Sequence, residues 1–311
     1  MASSQGKKKK DKKRGSAYLF LRDAAVAAIL VAGILLAMFA YTGQWPPLVV
    51  VESNSMMHSE ENLSEVGVID TGDLVLVKEV DAVADIETYV DGFASGHRTY
   101  GDYGDVVVYK VNGQDIMTPI IHRAMIYLEA NPDGESYRAE SLQYLPVSKW
   151  SASDPADNWT SLTSVLTIHD VGYRHASVVI DISHLNGAPY LSGFITKGDH
   201  NPSVDQSYGS NPVHITWVVG KARGEIPWFG LLKLWTTGTL GSPAPQNSVT
   251  DLWVSLILII LLPVIIDIVL TYREKRMISK KRKADAASHS SGEKTEAEDP
   301  AEPVAGPTKR Y

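Results

Sequence analysis

The segment Glu52-Ser53-Asn54-Ser55-Met56-Met57-His58 sets two hydroxyls a few residues from an imidazole. A serine hydroxyl is a weak nucleophile until a general base takes its proton. The chain offers nine histidines as bases, at 58, 97, 122, 169, 175, 184, 200, 214 and 289. It has no cysteine. That excludes a thiol nucleophile, and with it sortase-type chemistry, as well as a disulfide framework and a thiolate metal site. Taken singly, none of these residues is informative. A serine in a polar segment is usually a turn residue, and a histidine among apolar neighbours usually packs in a core. Lys78 and Lys110 are formal candidates for a lysine base, and His58 is an imidazole only three residues from Ser55.

Any such groups have to be positioned by the segment between Thr42 and Asp251, which reads as mainly β. VGVIDTGDLVLVKEV places a turn at Asp70–Gly72 before an apolar, β-branched run. YGDVVVYKVNGQDIM repeats the layout and ends on the Asn112-Gly113 hairpin signal. TPIIHRAMIYLEA, SVVIDIS, PYLSGFITKGDHN and VHITWVVGKARGEIP are further short strands bounded by turn residues. Many short strands at this spacing predict a β-sandwich or barrel-like fold. Residues 130–190 read as an irregular secondary lobe, with NPDGES and SASDPADNW as loops.

Two apolar stretches flank that segment. Ala24–Tyr41 carries no charge, and Leu252–Leu270 carries only Asp267, within a turn of its basic end. A membrane helix needs about 20 apolar residues, so both are expected to span. The first is longer than a cleaved signal core, and YTGQWPP after it lacks an A-x-A-like site, so it reads as a retained anchor. Basic clusters at Lys7–Arg14 and Arg273–Lys283 put both ends in the cytoplasm and the middle outside. The Lys-rich start, within residues 1–23, and the tail after Lys283, within residues 271–311, read as disordered.

The net charge of −7 hides a division. Thr42–Asp251 holds 26 acids against 11 Lys and Arg. So acidic a surface argues against nucleic-acid binding. It suits a high-salt setting, where counterions screen the repulsion.

The order of short blocks carries more than any residue alone. Ser53-x-Ser55-Met56 is followed by Thr71-Gly72-Asp73-Leu74-Val75-Leu76-Val77, then Ile120-Ile121-His122-Arg123. Thr196-Lys197-Gly198-Asp199-His200-Asn201 comes next, with Asp205 six residues after Asp199. Val219-Gly220-Lys221-Ala222 then leads to Ile226-Pro227-Trp228-Phe229-Gly230. This order resembles the type I signal peptidase family over roughly residues 48–230, apart from the segments near 81–103 and 130–190. Bacterial members carry Lys-Arg in the third block; archaeal and endoplasmic-reticulum members carry His-Arg, as here. With the acidic exterior, the resemblance implies a haloarchaeal member with a signal-peptidase-like β fold.

The resemblance implies Ser55 as nucleophile and His122 as general base. It implies Asp205 as the acid that orients the imidazole and Asp199 as a second required carboxylate. The Ser53 hydroxyl and the Ser55 N–H are the implied oxyanion donors. Asn54 stands where Gly is usual, and His58 where Pro is often found. The implied activity is a membrane-bound serine endopeptidase that removes signal peptides from secreted preproteins without metal or cofactor. The implied partners are those signal peptides, the lipid bilayer and the protein-translocation channel. A non-enzymatic, doubly anchored cell-surface or transport module explains the topology and acidity equally, but not the ordered blocks. A serine protease of other membrane proteins, such as pilin-like precursors, shares the chemistry. IPWFGLLKLW, at 226–235, is rich in Trp and apolar residues and suits a membrane interface or a buried turn.

Overall fold

In the computed structural model, which describes residues 2–153, 158–185 and 191–292, the apolar stretches are long helices. Helix α1 (Ala2–Thr42) precedes the strands. Twelve strands follow among the described residues, with short helices between them. They are β1 (Leu48–Val50), β2 (Leu74–Lys78), then helix α2 (Tyr89–Ser95), β3 (Arg98–Thr99), β4 (Asp102–Tyr103) and β5 (Val106–Tyr109). Next come β6 (Ile120–Ala130), β7 (Tyr137–Arg138), β8 (Trp150–Ala152), β9 (Val165–Val171) and β10 (Ala176–Asp181). The last are β11 (Gly193–Lys197), β12 (Val218–Ile226), helix α3 (Leu231–Thr237) and helix α4 (Ser248–Gly292). Two compact units divide the chain, one up to Leu252 and one from Trp253 onward.

Between the long helices the chain is built on antiparallel sheet. With helices of 41 and 45 residues at either end, the whole is mixed α/β rather than mainly β. Two helical stretches are long and apolar enough to cross a membrane, Phe20–Thr42 and Ser248–Lys281, with mean hydropathies of 2.5 and 2.9 over their most apolar parts, which are exposed. Both exceed the expected spans. The Lys-rich start, expected to be disordered, is helical from Ala2 onward. Lysine is a good helix former, and extending an existing helix avoids the cost of nucleation. Helix α4 likewise continues past Lys283 to Gly292; the rest of the tail expected to be disordered lies outside the described residues.

The main sheet runs β1-β2-β12-β5-β6-β11, with β7 beside the far end of β6. It is open, with β1 and β11 at its edges. Strand β6 pairs with β5 on one side and β11 on the other, and both its faces are covered. That explains why IIHRAMIYL reads as a nearly continuous apolar run instead of an alternating one. His122 and Arg123 interrupt it, both buried, on opposite faces because successive side chains alternate. On the His122 side lie Val107, Tyr109, Ala124 and Phe194. On the Arg123 side, Met125, Ile126 and Ile195 pack against a second sheet.

That second sheet, β10-β9-β8, occupies part of the segment expected to be irregular. Its strands bury Trp150, Leu166, Ile168, Val178 and Ile180. In β9, residues 165–169 alternate half-exposed and buried positions, as a sheet with one covered face requires. Residues 154–157 of the expected SASDPADNW loop lie outside the described residues. At the Asn112-Gly113 signal both residues have positive φ, 49° and 71°, as the turn type demands. The loop joining β5 to β6 is nevertheless ten residues long, since Tyr109 pairs with Ile120.

Candidate active site

Ser55 sits on a turn just past the end of β1. The Met57 N–H donates to the Asn54 carbonyl at 3.2 Å, and the Met56 and Met57 side chains are each 1% exposed. These two anchors hold the turn from below and leave Ser55 half-buried. The turn's entry is fixed by the Thr71-Gly72-Asp73 block. Gly72 N–H donates to the Val51 carbonyl at 2.9 Å, and Val51 N–H to the Asp73 carbonyl at 3.0 Å. Gly72 needs its glycine: φ is +99°, and a Cβ would lie 2.5 Å from Leu231 Cδ2. Asn54 shows no left-handed backbone. Among the described residues, the positive-φ non-glycines are 62, 100, 112, 170, 175 and 228. Nothing in its backbone therefore calls for a glycine at this position.

His122 comes from the middle of the sheet, directly opposite Val107 of β5. Its Nδ1 lies 2.9 Å from Asp205 Oδ1 and 2.7 Å from Oδ2. Asp205 opens a short 3-10 turn after β11. Two further donors fix its carboxylate: Tyr109 OH at 2.8 Å and Thr196 Oγ1 at 2.6 Å, both to Oδ2. Thr196 reaches it because of a bulge. Ile195 pairs with Ile126 but Thr196 pairs with Ala124, so Met125 is an extra residue on β6. One inserted residue re-aims every side chain beyond it. Tyr109 carries a phenol whose pKa is pushed up by burial and by the adjacent Asp205 charge, so it stays a donor.

A carboxylate at Nδ1 accepts that nitrogen's proton and leaves Nε2 with its lone pair. Nε2 faces the serine turn across Gly198. A Cβ built on Gly198 would lie 2.8 Å from His122 Nε2 and 2.6 Å from the Ser55 carbonyl oxygen. Imidazole and serine turn thus approach a single point that only a glycine leaves free. The Ser55 hydroxyl is hydrogen-bonded to Ser53 Oγ at 3.3 Å and not to Nε2. Among the described residues nothing accepts from the Ser55 backbone N–H.

Asp199 lies on the other side of β6 from Asp205. It receives Arg123 Nε at 2.9 Å and Nη2 at 2.6 Å, and His58 Nε2 lies 2.9 Å from its Oδ2. Burial pushes its pKa up, but the Arg123 charge and the hydrogen bonds from His58 and Arg123 outweigh that and hold it well below the usual carboxylate range. Arg123 is 1% exposed. Its Nη1 also donates to the carbonyls of Thr99 and Tyr103, both at 3.0 Å, and of Gly104 at 3.1 Å. It therefore anchors the β3–β4 loop as well as Asp199. His58, the rival imidazole, is committed to Asp199 and stacks on Tyr173 with ring centroids 4.8 Å apart. Lys197 turns its ammonium to the carbonyls of Gly198 and Asp199, at 2.9 and 3.2 Å. Burial lowers its pKa. Lys78 and Lys110 have other neighbours: Lys78 lies over the Tyr41 ring and Lys110 pairs with Asp115.

The structure thus brings Ser53, Ser55, His122 and Asp205 into one site and sets Asp199 behind it. Tyr109 and Thr196, both on Asp205, were not singled out from sequence. A buried tyrosine needs a partner for its hydroxyl, which is the one signal that pointed to Tyr109. Among the described residues no group of three or more His, Asp or Glu side chains has metal-binding geometry. No protein-family model matches the chain, and a comparison with curated proteins finds no significant match.

Proposed function

We propose that this chain is a membrane-anchored serine endopeptidase of the archaeal and endoplasmic-reticulum signal-peptidase type, removing signal peptides from secreted preproteins. The observation that carries this reading is the His122–Asp205 pair, with Nε2 turned toward the Ser55 turn across Gly198. His122 takes the Ser55 proton, and Ser55 Oγ attacks the scissile carbonyl. The Ser53 hydroxyl and the Ser55 N–H receive the oxyanion. The leaving amine takes the proton from Nε2, and water then hydrolyses the acyl-enzyme by the same base.

The topology supports the substrate class. Two exposed apolar helices of spanning length flank the β segment, with basic residues at their outer ends. By the positive-inside rule the β segment lies outside the membrane and both termini inside. Ser55 follows Thr42, the last residue of α1, by 13 positions, which keeps it near the bilayer where a signal peptide emerges. The ordered sequence blocks favour the signal-peptidase fold over other serine-protease architectures.

The test is a panel of membrane-inserted substrates given to the full-length chain. Preproteins with small residues before the cut are expected to be processed, and pilin-like precursors and mature membrane proteins are not. Cleavage confined to the second group would reassign the substrate. A wild-type chain that neither cleaves nor reacts with a fluorophosphonate would favour the non-enzymatic module.

A further inference from the structure

The tip of the β9–β10 hairpin, Gly172-Tyr173-Arg174-His175, leaves its own sheet and touches both loops of the catalytic site. On the first loop, the Tyr173 ring stacks on His58 at 4.8 Å with 19° between planes. Tyr173 OH lies 3.2 Å from Glu60 Oε1, and Arg174 Nε also donates to that oxygen. His58 and Glu60 are three and five residues from Ser55. On the second loop, Tyr173 OH lies 2.9 Å from His200 Nδ1, and Arg174 Nη1 donates to the His200 carbonyl at 2.6 Å. His200 in turn donates its N–H to the Ser55 carbonyl at 2.9 Å. One residue therefore separates Arg174 from the nucleophile.

The tip is built to hold this shape. Asp170 and His175 take positive φ, 57° and 51°, a left-handed backbone that Asp and His accept more readily than most residues and that bends the tip. The Asp170 carboxylate is gripped by Lys149 and by His175 Nδ1, and the Gly172 N–H donates to Tyr89 OH at 3.3 Å. None of these residues touches the His122–Asp205 pair.

We propose that Tyr173 and Arg174 are positioning residues: the second sheet's hairpin tip clamps the Ser55 turn to the Gly198–Asn201 loop and so sets the distance from Ser55 to His122. This rests on the serine-endopeptidase reading above. The clamp acts on geometry and makes no claim on substrate recognition. Small misplacements of reacting groups cost up to about a hundredfold in rate.

The experiment uses the full-length chain in lipid vesicles with Tyr173→Ala, Tyr173→Phe, Arg174→Ala and Arg174→Lys. Three quantities are read: kcat and KM on a preprotein, the rate of Ser55 labelling by a fluorophosphonate, and Tm. Tyr173→Ala and Arg174→Ala are expected to lower kcat and the labelling rate in parallel, by about tenfold or more for Tyr173→Ala. KM is expected to stay within about twofold, since a change in the spacing of Ser55 and His122 acts on the chemical step. Tyr173→Phe, which keeps the stack, and Arg174→Lys, which keeps the charge, are expected to recover part of the loss. Unchanged labelling in Tyr173→Ala, or a rise in KM with kcat intact, overturns the clamp. If Tyr173→Ala does not fold, Tyr173→Phe decides: labelling equal to wild type overturns the proposal. A wild-type chain that labels at Ser55 but does not cleave preproteins would refute the substrate class while still testing the clamp. Absent wild-type labelling would refute the enzyme reading itself.

Discussion

The Asp205 carboxylate sits against Nδ1 of His122, with 2.7 Å to the nearer oxygen, and Asp199 makes no such contact. The two acids of the Gly198–Asp205 region are therefore separated by role as well as by position. Asp205→Asn is expected to lower kcat by roughly 10³–10⁴, because an amide at Nδ1 favours the wrong tautomer. Its Tm should stay close to wild type. Steady-state preprotein cleavage and a thermal melt measure both, and retained kcat would reassign the orienting acid.

Asp199 is expected to fail differently. Asp199→Ala leaves the Arg123 guanidinium buried and without its carboxylate, a loss of about 3–5 kcal/mol in comparable buried pairs. Its pKa is lowered in the fold, so the pair stabilises the protein above the ordinary carboxylate pKa and is lost as pH falls through the lower, folded value. Denaturant unfolding of Asp199→Ala at pH 7 should show the deficit. A variant as stable as wild type would mean that other groups compensate Arg123.

Gly198 gives the sharpest steric test. Gly198→Ala inserts a methyl 2.6 Å from the Ser55 carbonyl and 2.8 Å from His122 Nε2. Activity is expected to fall by about a hundredfold or more through displacement of the serine turn. Measured kcat close to wild type would show that the two groups do not meet across this residue.

A fourth expectation concerns stability, away from the catalytic pair. Asp70 and Asp73 are buried beneath the serine turn. Burial pushes both pKa values up to about 7, and Asp73 adds repulsion at Asp70. A raised folded-state pKa on an acid gives stability that is complete below the unfolded value and declines as pH rises through about 7. Among the described residues Asp70 Oδ1 has no hydrogen-bond partner, while Oδ2 accepts the Glu65 N–H at 2.6 Å. Asp70→Asn keeps the acceptor and removes the charge. It is expected to stabilise the protein at pH 8 by roughly 1–3 kcal/mol and by little at pH 4. Denaturant titrations at the two pH values check the sign.

The parts legible in the sequence were those with local causes. The Val-rich β5, the apolar run of β6 and the Asp70–Gly72 turn follow from side-chain patterning, and the two long helices from hydropathy alone. The serine and histidine were legible as types, but the approach of their two segments at Gly198 was not. It depends on β6 and β11 being neighbours, and on a bulge at Met125 that turns Thr196 toward Asp205. No periodicity in β6 or β11 records that extra residue. The second sheet was hidden for a related reason. Its strands are short and separated by polar loops, and its tip bends to the serine turn through contacts over a hundred residues apart in sequence, such as Tyr173 with Glu60. The helical Lys-rich start shows the opposite failure, where composition suggested disorder and continuity with α1 decided.

The most direct measurement is cleavage of a membrane-inserted preprotein by the full-length chain and by Ser55→Ala, His122→Ala and His58→Ala, each confirmed as folded. Wild type is expected to release the mature product, and Ser55→Ala and His122→Ala to lose at least about 10³ in kcat. His58→Ala should lose only about tenfold, since His58 supports Asp199 and the Tyr173 stack rather than taking the serine proton. Normal processing by Ser55→Ala, or a loss in His58→Ala as deep as that in His122→Ala, would contradict the assignment of nucleophile or base.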